Sequence, residues 1–165
     1  MRVLVTTASK HGSTDEIGRA IAEVLAQNGV EVGVLAPEDV ISVHPYDAVI
    51  MGSAVYAGHW MSPMKKMAQR LAAELNERPI WLFSSGPLGD PPLPDEDPVD
   101  VVPMMEATGA RGHVVFAGKL DKGVLNFAER AIVGAFKVSE GDYRDWEEIR
   151  KWATGITEEL ASISA

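Results

Sequence analysis

Short apolar runs alternate with stretches of helical period along this chain, and that alternation restricts its possible folds more than any other feature. Arg2–Thr6 (RVLVT) is continuous and β-branched, the pattern of a strand buried on both faces. Thr14–Gln27 then sets Ile17, Ala20, Ile21, Val24 and Leu25 on one helical face, and Asn28-Gly29 closes it. Further strands are expected at Val30–Leu35, Asp47–Gly52, Pro79–Phe83 and Arg111–Ala117. Helices are expected at Pro63–Asn76, with proline in its first turn, at Val101–Thr108 and at Tyr143–Leu160, with a short helical turn in Pro37–Val43. In 165 residues this predicts an α/β fold, a doubly wound five-stranded parallel sheet of order 2-1-3-4-5, as one domain spanning residues 1–165. Such sheets take ligands at the carboxyl ends of strands one and three, where the strand order reverses. The loops after strands one, three and four are therefore the places to search.

Composition removes several classes of function. A formal net charge of −9 disfavours a nucleic-acid binder, which needs a basic face. Cysteine is absent, which excludes disulfides, thiolate catalysis, iron–sulfur clusters and cysteine-based zinc sites. Four scattered histidines lack the spacing of metal ligands, so no metal is expected. The apolar amino end is too short for a signal peptide and no run approaches a membrane span, so the cytoplasm is the expected location.

The first of the three loops, Thr6-Thr7-Ala8-Ser9-Lys10-His11-Gly12-Ser13-Thr14, places five hydroxyls in nine residues. A helix amino end offers unpaired N–H groups and partial positive charge. Ser9, Ser13 and Thr14 add donors there, Lys10 adds charge, and Gly12 allows close backbone approach, which together suit a phosphate. One N-cap, Ser13 or Thr14, would account for only one of these hydroxyls. The P-loop pattern and G-x-G-x-x-G are both missing, and strand two ends without the acidic residue that holds an adenosine ribose. The acidic residues of a phospho-accepting receiver domain are missing as well.

Ser9-Lys10-His11-Gly12-Ser13-Thr14 resembles the T/S-x-T-G-x-T loop of the flavodoxin family, with Ser9, Gly12 and Thr14 at matching places and Lys10 and His11 departing from the common pattern. The resemblance implies FMN, its phosphate enclosed by this loop. It further implies that the loops after strands three and four sandwich the ring. The former supplies Ser53, Ala54, Val55, Tyr56, Ala57 and Gly58, then His59 and Trp60. Tyr56 is the first choice to stack on the flavin and Trp60 the second. The latter supplies Ser85, Gly86, Pro87, Leu88 and Gly89. Beyond it, Pro87–Pro103 holds six of the ten prolines with Asp90, Asp95, Glu96, Asp97 and Asp100, expected as a long surface loop. Any of these acids near the flavin would lower its potential.

A plain flavodoxin passes directly from strand five to its last helix, whereas this chain inserts roughly residues 119–141. The insertion is apolar and helical in pattern, and residues 119–138 carry four bases against two acids. It could cover the flavin crevice, rest on the inner face of the cell membrane, pack between subunits, or simply cover a sheet edge. Tyr46–Ser53 with Tyr56 and Gly58-His59, and the closing Tyr143-Arg144-Asp145-Trp146-Glu147-Glu148-Ile149, resemble the bacterial menaquinone-dependent protoporphyrinogen oxidases, a flavodoxin-like branch. That resemblance implies an FMN oxidoreductase passing electrons from protoporphyrinogen IX to a quinone. The flavin N5 takes hydride, so no side-chain acid or base is required, and Lys119, Lys122 or Arg130 could meet the substrate's propionates. A one-electron carrier for a redox partner protein and a quinone reductase remain alternatives, as does a domain that binds without flavin. The oligomeric state stays open.

Overall fold

The apolar run at the amino end becomes the middle of the sheet. The computed structural model describes residues 1–88, 96–135 and 139–165. In it β1 (Arg2–Ala8) pairs in parallel with β2 (Glu31–Leu35) on one side and β3 (Ala48–Tyr56) on the other. β4 (His59–Trp60) turns back on the end of β3, while β5 (Ile80–Ser85) and β6 (Gly112–Phe116) extend the sheet in parallel. The order β2-β1-β3-β5-β6 is the expected 2-1-3-4-5 order for the parallel strands, with β4 as an additional antiparallel strand. Alternate residues of each strand face opposite layers. Val3, Val5, Ile50, Trp81 and Phe83 share one core cluster with α1 (Ser13–Gln27) and the last helix, while Leu4, Val49, Met51, Ile80 and Leu82 share the other with α2 (Ser62–Arg70) and α3 (Ala72–Leu75). α4 (Val101–Thr108) joins the second layer through Met104.

The expected helix Pro63–Asn76 is two helices, parted at Leu71 (φ −109°, ψ 16°). Leu71 N–H still donates to Met67 O and Leu75 N–H to Leu71 O, each at 2.9 Å. Residues four apart drift by about 40° around a straight helix. The bend at Leu71 keeps Met67, Leu71 and Leu75 together against the sheet. In Pro37–Val43 only Pro37–Asp39 is helical, a single 3-10 turn.

β3 also runs past its expected end, so Ser53–Tyr56 are strand rather than loop. Two pairings hold them there: Ser53 and Ala54 with Ser84 and Ser85 of β5, and Val55 and Tyr56 with Trp60 and His59 of β4. The two-residue turn between β3 and β4 is Ala57 (φ 50°) and Gly58 (φ 78°). Left-handed backbone at both positions matches the twist of a tight hairpin. Ala57 accepts a conformation that costs an L-residue about 1 kcal/mol or more.

The insertion leaves β6 as β7 (Lys119–Leu120), makes a 3-10 turn at Lys122–Val124 and forms α5 (Phe127–Ala135). It returns as β8 (Gly141–Asp142), which pairs antiparallel with β7 and closes the base of the excursion. α6 (Trp146–Ser164) follows, its first turn capped by Asp145, which accepts from Glu147 and Glu148 N–H. α6 packs beside α1, burying Ile149, Ala153, Ile156 and Leu160.

Two glycines test this packing in opposite senses. A Cβ on Gly52 would overlap the Phe83 ring, which is itself wedged against Phe116 and Trp152 at centroid distances of 5.8 and 6.0 Å. Gly52→Ala is expected to destabilise by about 1–3 kcal/mol or more in urea denaturation. Gly155, inside α6, has open space where its Cβ would lie. Gly155→Ala is expected to stabilise by roughly 0.5–1 kcal/mol. Equal midpoints for the two variants would contradict the packing described.

Candidate functional site

The amino end of α1 is where the hydroxyl-rich loop meets the sheet. Gly12 is its N-cap, with φ 89°, and no side chain caps the first turn. Neither Ser13 nor Thr14 is the cap, because the helix already begins at Ser13. The left-handed backbone at Gly12 turns the chain from loop into helix where a side chain would be strained. Its N–H donates to Ser9 Oγ at 2.9 Å, and the first helical bond runs from Glu16 N–H to Gly12 O at 3.1 Å. Thr7 Oγ1 donates to Asp15 Oδ1 at 2.6 Å. Thr6 and Thr14 are fully buried, and among the described residues their hydroxyls have no partner. An unpaired buried hydroxyl is costly and invites an explanation.

Thr14 opens onto a cavity of about 500 Å³ at the carboxyl ends of β1, β3 and β5. The size lies within the range of small-molecule sites. His11, Ser13 and Thr14 line it from the first loop, Ala54, Val55, Tyr56 and Ala57 from the second, and Ser85, Gly86 and Leu88 from the third. Tyr56 is 41% exposed at its rim, and Lys10 Nζ stands 6.0 Å from the Tyr56 ring centroid.

The remaining expected residues lie around it. Ser9 borders a separate cavity of about 410 Å³ on the β2 side, with Arg19 and Glu38. Gly12 and Gly58 form the turns already described. Ser53 is buried, its hydroxyl donating to Ala54 O at 2.8 Å and accepting from Met61 N–H at 2.9 Å. Pro87 offers its carbonyl to Gly118 N–H at 2.8 Å. Gly89, with Asp90 and Asp95, lies outside the described residues. Trp60 is 2% exposed in the core, and its indole N–H donates to Ser84 Oγ at 2.7 Å. It does not line the cavity, which leaves Tyr56 as the aromatic residue there among the described residues.

Of the acids in the proline-rich stretch, Asp97 and Asp100 also face away from the cavity. Asp100 accepts from Trp60 N–H at 2.8 Å and pairs with His59 and Lys65, which fastens the β3–β4 hairpin to α4. Asp97 stands 3.7 Å from His113.

The insertion supplies the remaining wall of the cavity. Gly118, Lys119, Leu120 and Asp121 close one side, and Val124, Leu125, Glu129, Ile132 and Val133 roof the cavity. Covering the crevice was one of the roles left open for this segment, and its apolar, helical pattern around Val124, Leu125, Ile132 and Val133 was the signal. Gly118 explains how the wall comes so near, since a Cβ on it would sit 3.1 Å from Gly86 Cα. Lys119 reaches the cavity, whereas Lys122 and Arg130 lie on the outer side of the insertion, where Arg130 Nε donates to Lys122 O at 3.1 Å.

The roof is held by charge. Asn126 Oδ1 accepts from Glu129 N–H at 2.9 Å, the bond of an N-cap, which sets Glu129 in the first turn of α5. Its carboxylate then reaches across to the first loop. Oε1 lies 2.7 Å from Lys10 Nζ, an ion pair without hydrogen-bond alignment, and Oε2 lies 2.7 Å from His11 Nε2. Lys10 first and His11 second hold the Glu129 carboxyl at about 2. Burial, and then the negative charge of Glu129, push the Tyr56 phenol up. At the base of the insertion Arg144 donates to Asp142, to Glu16 and to Ser13 O, and stacks 4.6 Å above the Trp146 ring. Among the described residues no cluster suited to a metal ion occurs, and no helix is long and apolar enough to cross a membrane.

Donors at a helix end, the side chains of Lys10 and His11, an aromatic rim and an apolar roof suit a planar ligand that carries an anionic tail. Protoporphyrinogen IX dehydrogenase [quinone] of Escherichia coli strain K12 is 27% identical over 92 residues, covering 51% of this chain and 48% of that protein. The chain thus matches about half the length of this curated relative. Among solved structures, a flavodoxin from the domain Archaea is similar with TM-score 0.67 at 20% identity, covering 98% of this chain and 99% of that one. The rubredoxin oxygen:oxidoreductase of Desulfovibrio gigas also reaches TM-score 0.67, at 16% identity, covering 99% of this chain and 37% of its own. At these identities the structures speak for the fold. The model of the flavodoxin domain family matches residues 4–146, and the chain belongs to that family.

Proposed function

We propose that this protein binds FMN in the roofed cavity and uses it to oxidise a reduced tetrapyrrole of the protoporphyrinogen type, with a quinone as electron acceptor. The observation that carries this reading is the roof itself. Val124, Leu125, Ile132 and Val133 enclose space over the crevice, giving a flat organic substrate apolar cover beside the ring. The buried, partnerless Thr14 hydroxyl and the uncapped α1 amino end fit the cofactor's phosphate. Tyr56 fits the face of its ring and the Ser85–Gly86 backbone fits its polar edge. When bound, FMN supplies the hydride-accepting centre, and the protein supplies position and water exclusion. Lys119 at the cavity meets an acidic substituent of the substrate. The partial likeness to the E. coli dehydrogenase supports this substrate class.

A second reading has its own support. Much of the Tyr56 ring is exposed and the chain carries a net charge of −9. Both suit an electron carrier that meets a basic partner protein edge-on.

Phe127 of α5 is 90% exposed, and Lys122 and Arg130 lie on the outer side of the insertion. This make-up suits a peripheral contact with an anionic membrane, where a lipid quinone resides.

Three outcomes follow. Thr14→Val removes an oxygen that has no partner among the described residues, so unfolding stability should hold or rise slightly while FMN affinity falls roughly 10- to 100-fold, read by quenching of flavin fluorescence. Undiminished affinity would contradict the phosphate placement. FMN-loaded protein mixed anaerobically with protoporphyrinogen IX and a soluble quinone should generate porphyrin fluorescence catalytically. Flavin bound and reducible with no rate above a protein-free control would favour the carrier. Phe127→Asp should abolish cosedimentation with vesicles rich in anionic lipid, and equal cosedimentation of both proteins would contradict the membrane contact.

A further inference from the structure

We propose that Glu129 is a carboxylate latch: it holds the insertion over the cavity by occupying Lys10 and His11, and an entering phosphate monoester displaces it and frees α5. The inference rests on the FMN reading of the site. The Lys10 ammonium and the His11 imidazole of the anion loop are both committed to one carboxylate, at 2.7 Å each. The Glu129 side chain is 15% exposed and that of Lys10 43%, so the pair lies partly in water. Phosphate carries nearly two negative charges and needs the same two side chains, and like charges at such separations repel strongly.

The contest is uneven in a useful way. Glu129 is tethered, so it acts at high effective concentration, yet it brings one charge against the phosphate's two. α5 has little else to hold it. None of its described residues is buried, and its firm attachment lies at the far base, through the β7–β8 ribbon and Arg144. Losing the Glu129 pair therefore loosens the roof while the base stays fixed. By linkage, whatever the phosphate gains from Lys10 and His11 the roof loses. A ligand without phosphate has no such effect, so the latch couples the cofactor's tail to the opening of the substrate space.

The test compares Glu129→Gln with the wild type in two ways. Affinities for FMN and for riboflavin are measured by flavin fluorescence quenching, and tryptic cleavage after Arg130 of α5 is timed with and without FMN. A latch predicts that Glu129→Gln binds FMN roughly three- to tenfold tighter with riboflavin affinity unchanged. It also predicts that FMN speeds cleavage in the wild type, and that the variant is cut quickly with or without FMN. Glu129→Ala should behave alike, which separates loss of charge from a fault peculiar to glutamine. FMN affinity equal to or below the wild type, an equal gain for riboflavin, or cleavage slowed by FMN would each overturn the latch. A wild type that binds no FMN would instead overturn the flavin reading beneath it.

Discussion

The parallel ladders that join β1 to β2 on one side and to β3 on the other fix where this protein can bind anything. Parallel neighbours require crossovers, and right-handed crossovers send α1 to one face and the α2–α3 pair to the other. Where the two directions diverge, the carboxyl ends of β1 and β3 leave a gap that neither helix layer covers. The amino end of α1 points into that gap, because the helix must start where β1 stops. Everything distinctive here follows from that corner: a Thr14 hydroxyl with no partner among the described residues, Lys10 and His11, the aromatic rim and the roof above it.

The insertion turns an open crevice into a chamber. Its base is pinned by backbone pairing of Lys119 and Leu120 with Asp142 and Gly141, and by a buried arginine that also grips the first turn of α1. Its tip is held by the Glu129 carboxylate on Lys10 and His11. The latch proposed above would open this structure at its tip, with the paired base held in place. Hydrophobic burial contributes little to the closed form, since α5 keeps most of its apolar surface outside the core. Electrostatics therefore governs the roof, in contrast to the sheet, where packing governs.

The sheet order was legible in the sequence because each parallel strand is a continuous β-branched or apolar run and each helix shows one apolar stripe. The anion loop was legible because hydroxyls, lysine and glycine crowd one strand-to-helix junction. Trp60 was misleading for a physical reason: an aromatic residue near a strand end reads the same whether it faces a ligand or the core, and only the Ser84 partner of its indole decides. The end of β3 was hidden because Ser53 and Ala54 have weak strand propensity, and pairing with β5 overrides it. Glu129 could not be found from pattern at all. Its role comes from a pairing 118 residues apart in the chain, which no local period encodes.

The account's central claim is that the amino end of α1 receives the phosphate of a flavin mononucleotide. The direct measurement is a titration of isotopically labelled protein with FMN, following backbone amide resonances. The largest shifts are predicted at Gly12, Ser13 and Thr14, with accompanying shifts at Tyr56 and Gly86 across the cavity. Shifts confined to Arg19, Leu35 and Glu38, which line the neighbouring cavity on the β2 side, would contradict it.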